Sequence, residues 1–199
     1  MKTDFKTQID ADAAENMAKG MHIVMNGLLP GWQDDPSTAD TANRFIKYLA
    51  EFRQPLDTEK VFGTNFEVAD DHPSMVIQTP IPFRGVCEHH LLPMTGVAAL
   101  GYIPHERVIG LSKLTRLVDA VGVEGPSLQE AVAHRIVNLM VEHLKPKGVM
   151  LVIKSAHGCM SCRGVKAPGV DTISSVVQGV FRDNVAARQE FMMLTQGNL

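Results

Sequence analysis

Two short segments bring cysteines and histidines together. The first is Cys87-Glu88-His89-His90, and the second is His157-Gly158-Cys159 with Cys162 close behind. Thiolates and neutral imidazoles are the ligand types that hold zinc. Cys87 and His90, with two residues between them, have the bite with which a single turn chelates one metal. His157 and Cys159 are two apart and point to the same side if the strand before them persists. A structural zinc site closes its coordination with four protein ligands, whereas a catalytic site leaves a place for water. Both remain open on the residues alone. Cys87, Cys159, Cys162 and a histidine would close a structural site; Cys87, His90 and Cys159 with an open fourth position would activate water. His22, His72, His105, His134 and His143 have no such company and read as ordinary surface or core histidines.

Two further segments suit an anionic nucleotide. Gly110-Leu111-Ser112-Lys113-Leu114-Thr115-Arg116 falls where a strand turns into a helix, with a hydroxyl suited to capping and two cations three residues apart on one face. A helix N-terminus bearing Ser, Lys and Arg is a phosphate cradle, although capped helices with basic first turns are common without any ligand. Arg163-Gly164 offers another guanidinium to the same cleft. Gln129-Glu130 opens a long helix, and a carboxylate beside an amide pairs with the N–H edge of a guanine-like base. A glutamate in a first helical turn is also favoured by the macrodipole alone.

These residues need elements to position them. Asp10 to Leu29 places Ile9, Ala13, Met17, Met21, Val24, Met25 and Leu28 at helical steps, a Met-rich stripe that predicts core packing. Leu29-Pro30-Gly31 stops it, and Gly31 to Ser37 reads as a loop. A second helix runs from Thr38 or Asp40 to about Arg53, with Phe45, Ile46, Leu49 and Phe52 on one stripe. From Pro73 the pattern turns to strands at Met75 to Thr79 and Thr95 to Tyr102. Leu111 to Val121 and Ser127 to Leu144 are helical, Val149 to Ala156 and Thr172 to Phe181 are strands, and Asn184 to about Leu194 is a short helix. The order is helices, two strands, two helices, two strands, helix, which predicts an α+β fold with an antiparallel sheet.

Composition narrows the class. The chain has 199 residues, 45% hydrophobic and 21% charged, the balance of a globular domain able to bury a core. No apolar run approaches the roughly 18 residues of a membrane helix, and the N-terminus shows no apolar leader; a cytoplasmic protein is expected. The formal net charge of -3, from 19 basic and 22 acidic residues, has no long basic block and argues against a nucleic-acid partner. Three cysteines, an odd number, fit metal ligands or buried thiols better than a disulfide framework.

Several of these segments together resemble the GTP cyclohydrolase I family: Cys87-Glu88-His89-His90-Leu91-Leu92-Pro93, Gly101-Tyr102-Ile103-Pro104, Val108-Ile109-Gly110-Leu111-Ser112-Lys113, Gln129-Glu130, and His157-Gly158-Cys159-Met160 followed by Arg163-Gly164-Val165. The match runs in order from about Thr41 to Phe191. It includes Thr41-Ala42-Asn43-Arg44, with Ala42 where the family's motif has proline, and closes through Thr172, Ser174, Ser175, Gly179, Phe181, Arg188, Glu190 and Phe191. The segment from Val121 to Leu128 departs from the family's Arg- and Gln-rich stretch.

The resemblance implies a tunnelling fold, an antiparallel sheet with two helices on one face, over residues 56–199, preceded by a helical extension over residues 1–55. It implies zinc-dependent opening of the imidazole ring of GTP, giving formate and 7,8-dihydroneopterin triphosphate at the entry to tetrahydrofolate and pterin synthesis. Zinc (Zn2+) would be held by Cys87, His90 and Cys159, with His89 and His157 as proton-transfer residues. Glu130 and Gln129 would recognise the guanine edge, Ser112 would help hold the ribose-triphosphate, and Lys113, Arg116, Arg163 and Arg44 would bind phosphates. The family assembles as a homodecamer with sites at subunit boundaries, so neighbouring chains are expected to contribute. A nitrile reductase of the same fold would need a cysteine nucleophile in place of the Cys-Glu-His-His loop. A non-catalytic zinc-binding relative would have no need of His89, His157, Glu130 and the cations together.

Overall fold

The structure, a computed structural model, describes residues 11–68 and 74–199. Ile9, Asp10, His72 and Pro73 lie outside the described residues. The chain divides into two compact units between Pro55 and Leu56.

The first unit contains helices α1 (Ala11–Leu28) and α2 (Thr41–Glu51), joined by turns. Its small core gathers Met25, Trp32 and Ala42, with Met21 packed against them. The Trp32 indole Nε1 donates to Asn26 Oδ1 at 2.9 Å, satisfying the one polar atom that this ring buries. Only part of the expected apolar stripe is inside. Val24 and Leu28 are exposed, Leu28 to 75%, so core packing does not explain the whole α1 stripe. On α2, Ile46 is buried and Phe52 follows it just beyond the helix end, while Phe45 faces out.

The second unit begins with a short helix α3 (Thr58–Phe62) and strand β1 (Asn65–Glu67). It continues through β2 (Val76–Val86), β3 (Pro93–Ile103), β4 (Arg107–Ile109), α4 (Leu111–Gly122), α5 (Gln129–Leu144) and β5 (Gly148–His157). A helical turn α6 (Gly158–Ser161), β6 (Asp171–Gly179), α7 (Val180–Asp183) and α8 (Val185–Thr195) complete it. The main sheet has four strands in the order β2-β3-β5-β6, every neighbour antiparallel, and β1 pairs with β4 separately. Two strands, two helices on one face and two more strands make the α+β, tunnelling-fold unit that the sequence predicts.

Packing follows from strand alternation. Along β5, Val149, Leu151 and Ile153 join the cluster under α4 and α5, with Leu114, Leu117, Val118, Ile136, Val137 and Met140 opposite. Met150 and Val152 point the other way, beneath Phe181, Ala187 and Phe191. Helices cover both faces, so the middle of β5 reads as an unbroken apolar run rather than an alternating one.

Four local differences from the sequence reading have physical causes. β2 continues past Thr79 to Val86 despite Pro80 and Pro82, with a register irregularity between Gln78 and Ile81. It pairs only with β3 among the described residues, and an edge strand tolerates prolines that an interior strand would not. α3, β1 and β4 are too short to carry a periodic signal. β6 ends at Gly179, where a left-handed glycine starts α7, so Val180 and Phe181 are not in the strand. β5 ends at His157 and the chain turns at once into α6, so the strand does not persist to Cys159.

Gly101 marks a tight approach of α8 to the sheet. A Cβ there would lie 2.7 Å from two ring carbons of Phe191, which is fully buried. Gly101→Ala is expected to lower unfolding stability by about 1–3 kcal/mol through overpacking. Combining it with Phe191→Leu should cost less than the two single changes summed. Denaturant unfolding of the four proteins measures this, and strict additivity would contradict the contact.

Candidate active site and metal centre

The reactive segments meet at one end of the sheet. Cys87 to His90 form the turn between β2 and β3, closed by Leu91 N to the Cys87 carbonyl at 2.9 Å and Cys87 N to the Leu92 carbonyl at 3.0 Å. The register of β3 on β5 sets Met94 opposite His157, so the end of β5 arrives beside that turn. α6 then swings Cys159 inward. The ligand atoms of Cys87, His90 and Cys159 lie within 4.8 Å of one another, a group that could hold a metal ion. Cys87 is buried, Cys159 half-buried and His90 exposed, so the group opens to the surface.

Cys162 is not in this group. Its thiol is exposed and donates to the Gly158 carbonyl at 2.8 Å. The four-ligand alternative drawn from Cys87, Cys159, Cys162 and a histidine is therefore not assembled, and the three-ligand arrangement is. The Cys159 thiol is pushed up from its ordinary pKa, first by burial and then by the adjacent Cys87, with the Arg163 guanidinium pulling the other way. The Cys159 thiol therefore resists ionising in the absence of a cation, and a bound divalent ion reverses that balance. Arg163 is thus placed by the metal centre, exposed in the turn after α6.

His157 leaves the ligand group and turns to α5. Its Nε2 lies 2.8 Å from Gln129 Oε1. Burial lowers its pKa from 6.5, and the nearby Glu130 carboxylate raises it by less. The ring is neutral near pH 7 and gains a proton only as the pH falls below that value. Glu130 and His89 are exposed, and His89 Nε2 lies 3.8 Å from Glu88 Oε1.

Gln129 corrects an expectation. It is 1% exposed, and both ends of its amide are bonded inside the chain, so it does not offer an edge to a base. Its partners include Ser174, which entered the sequence reading only within the closing pattern of the resemblance, and Ser155, which sequence reading missed. A signal was present: Ser155 continues the inward series Val149, Leu151, Ile153, and a hydroxyl on a core face requires a partner.

The phosphate segment is also placed differently from expectation. From Met94, at the metal end, to Tyr102 the strand advances about 26 Å at the usual rise. The Tyr102 hydroxyl accepts from Ile109 N at 3.1 Å, and α4 begins just beyond. α4 then runs back toward the metal end, where a Cβ on Gly122 would collide with the Arg84 carbonyl oxygen. Ser112 and Lys113 therefore sit at the far end of a helix about 18 Å long, with Arg116 midway along it, and this basic first turn does not meet Arg163 in one cleft of the same chain. Gly110, not Ser112, occupies the N-cap, and no side chain caps the helix. Lys113 Nζ donates to the Lys60 carbonyl at 2.7 Å. Arg44 belongs to the first unit, on α2, 3.4 Å from Asp40. Of the histidines without company, His143 stacks on Phe62 and His22 lies edge-on to Trp32, both in packing roles.

The fold and site together define a tunnelling-fold enzyme with a Cys-His-Cys metal-capable centre beside a half-buried histidine. Comparison with known proteins specifies the class. The family model described as GTP cyclohydrolase I matches residues 24–196. The chain is 42% identical to the GTP cyclohydrolase 1 of Brevibacillus brevis, over 84% of this chain and 91% of that one. It is 43% identical to that of Halalkalibacterium halodurans over 88% and 94%, and 40% identical to that of Bacillus mycoides over 86% and 92%. A solved structure described as the archaeosine synthase QueF-Like in the apo form overlays 55% of this chain and 97% of its own, at a TM-score of 0.45 and 19% identity. The chain belongs to the GTP cyclohydrolase I family. No helix among the described residues is long and apolar enough to cross a membrane.

The ligand assignment has a direct check. Purified protein dialysed against zinc should hold one ion per chain by elemental analysis. Cys87→Ala and Cys159→Ala should lose it, and Cys162→Ala should retain it. Loss in Cys162→Ala with retention in Cys159→Ala would show the wrong thiol to have been chosen.

Proposed function

We propose that this chain opens the imidazole ring of GTP hydrolytically, releasing C8 as formate and giving 7,8-dihydroneopterin triphosphate, in the cytoplasm, as the first step of tetrahydrofolate and pterin synthesis. The observation that carries the reading is the convergence of Cys87, His90 and Cys159 beside His157, in a chain of the GTP cyclohydrolase I family. On this reading residues 56–199 form the catalytic domain and residues 1–55 a helical extension.

The donor set suits zinc: two thiols and an imidazole select it over harder cations, and three protein ligands leave room for a reactant. When bound there, zinc supplies the charge that makes water nucleophilic near neutral pH. The remaining steps fall to side chains of the chain. C8 of guanine is a poor electrophile, so N7 must gain a proton as attack proceeds. Two histidines that are not ligands, His89 at the surface and His157 in its half-buried pocket, supply and remove protons on either side of the ring. Glu130, exposed at the start of α5, accepts from the N1 and N2 hydrogens of guanine.

Triphosphate binding calls for more than one chain. Arg163 lies by the Cys-His-Cys group, while Ser112 and Lys113 lie a helix length away and Arg116 midway, so the cations that complete a site come from a neighbouring copy. Arg44 is assigned to the same triphosphate. β2 and β6 each have one strand partner among the described residues, which leaves outer edges along which copies continue the sheet. A homodecamer with sites at subunit boundaries fits these requirements. The overall charge of -3 is no obstacle, because the relevant cations are gathered locally.

Zinc-loaded protein incubated with GTP should release formate and form a pterin, fluorescent after oxidation, in equal amounts. His89→Ala should keep its zinc and lose turnover by about 10²–10⁴-fold. Tight GTP binding with neither product would overturn the reading in favour of a binding protein.

Shared sites make a second prediction. Lys113→Ala and Cys87→Ala proteins, each inactive alone, should regain part of the activity when unfolded together and reassembled. A mixture no more active than its components would place the whole site within one chain.

A further inference from the structure

The amide of Gln129 sits in a closed ring of partners. Its Nε2 lies 3.0 Å from the Ile153 carbonyl oxygen, 3.2 Å from the Thr172 carbonyl oxygen and 3.1 Å from Ser174 Oγ. Its Oε1 lies 2.6 Å from Ser155 Oγ and 2.8 Å from His157 Nε2. Gln129 and Ser155 are each 1% exposed, so no bulk water substitutes for these partners.

The two ends of a glutamine amide resemble each other in shape, but these partners tell them apart. A backbone carbonyl accepts hydrogen bonds and never donates. The edge facing Ile153 and Thr172 must therefore be the NH2 group. The reverse orientation would press the amide oxygen against two carbonyl oxygens in a buried setting. With that edge fixed, the oxygen faces Ser155 and His157, and it too is only an acceptor. The hydrogen between Gln129 and His157 must then sit on the imidazole. A neutral imidazole carries one N–H, so His157 Nδ1 is left with the free lone pair.

We propose that Gln129, held by Ser155 and by the carbonyls of Ile153 and Thr172, is a positioning residue that fixes His157 as the Nε2–H tautomer and makes Nδ1 the atom that exchanges protons with substrate. The inference rests on the reading of His157 as a proton-transfer group. In the working cycle the Nδ1 lone pair takes the proton released as water adds, forming a bond to hydrogen while the water O–H bond breaks. The ring becomes a cation whose other N–H stays on Gln129 Oε1, an acceptor that suits the cation at least as well as the neutral ring. Returning the proton from Nδ1 to a ring nitrogen of the substrate restores the starting tautomer, and the imidazole need not rotate.

This separates a role at His157 from a role at the base. If Gln129 touched guanine, its loss would weaken substrate binding; a positioning residue acts on the chemical step. The test uses the zinc-loaded full chain labelled with 15N-histidine, with the His157 signals assigned by their absence from His157→Gln. Long-range 1H–15N correlation should show Nε2 protonated and Nδ1 unprotonated in the neutral ring. A protonated Nδ1 in the unsubstituted protein would overturn the proposal without any variant. Gln129→Met should give a mixture of tautomers, with kcat for GTP lowered about 10²-fold and KM altered by less than about threefold. An unchanged tautomer in that variant, or a rise in KM with kcat intact, would also overturn it. The functional reading fails separately: absence of formate alongside the expected tautomer would retire that reading and leave the tautomer assignment standing.

Discussion

The pairing register of β3 on β5 is the constraint on which the site depends. Setting Met94 opposite His157 places the turn between β2 and β3 beside the point where β5 ends. Because side chains alternate along a strand, a slip of one residue would send His157 to the other face and carry Cys159 away from Cys87. The register is held by the apolar sets on the two faces of β5, which cannot exchange without exposing one of them. Stability of the core and geometry of the metal centre are therefore one requirement.

The same sheet supplies the setting of His157. α5 begins where β5 and β6 lie adjacent, and its first residue, Gln129, reaches between them to the carbonyls of Ile153 and Thr172. A buried polar network of this kind is stable only when every member is satisfied. Here the amide has a partner at both ends and thereby ties helix, sheet and imidazole together. Glu130, one residue on, faces out. Helical rotation thus divides two adjacent polar residues between the core and the surface.

The direction of α4 has the opposite effect. It begins at the end of the sheet away from the metal centre, so the basic first turn and the metal-capable group are kept apart within a chain. Within a single copy Cys87, His90, Cys159 and His157 lie at one end, and Ser112 and Lys113 at the other. Two exposed sheet edges provide the means for copies to bring unlike ends together, which connects the proposed assembly to catalysis and not only to stability.

The sequence by itself determined the order of the longer elements and the identity of the metal-capable residues, because these depend on local periodicity and on side-chain chemistry. Cys87 with His90 was legible since a turn chelates at that spacing. α3, β1 and β4 were not legible, being shorter than any periodic signal, and β2 was cut short because proline is acceptable only once a strand is known to lie at an edge. The tertiary structure alone decided between Cys162 and His90 as partner to the two thiols, since α6 turns Cys159 inward and Cys162 out. It also decided that Gln129 faces the core and that the first turn of α4, with Ser112 and Lys113, stands apart from Arg163. Those outcomes depend on which strands pair and which way a helix runs, and distances between segments remote in sequence are fixed only when the sheet closes its hydrogen bonds.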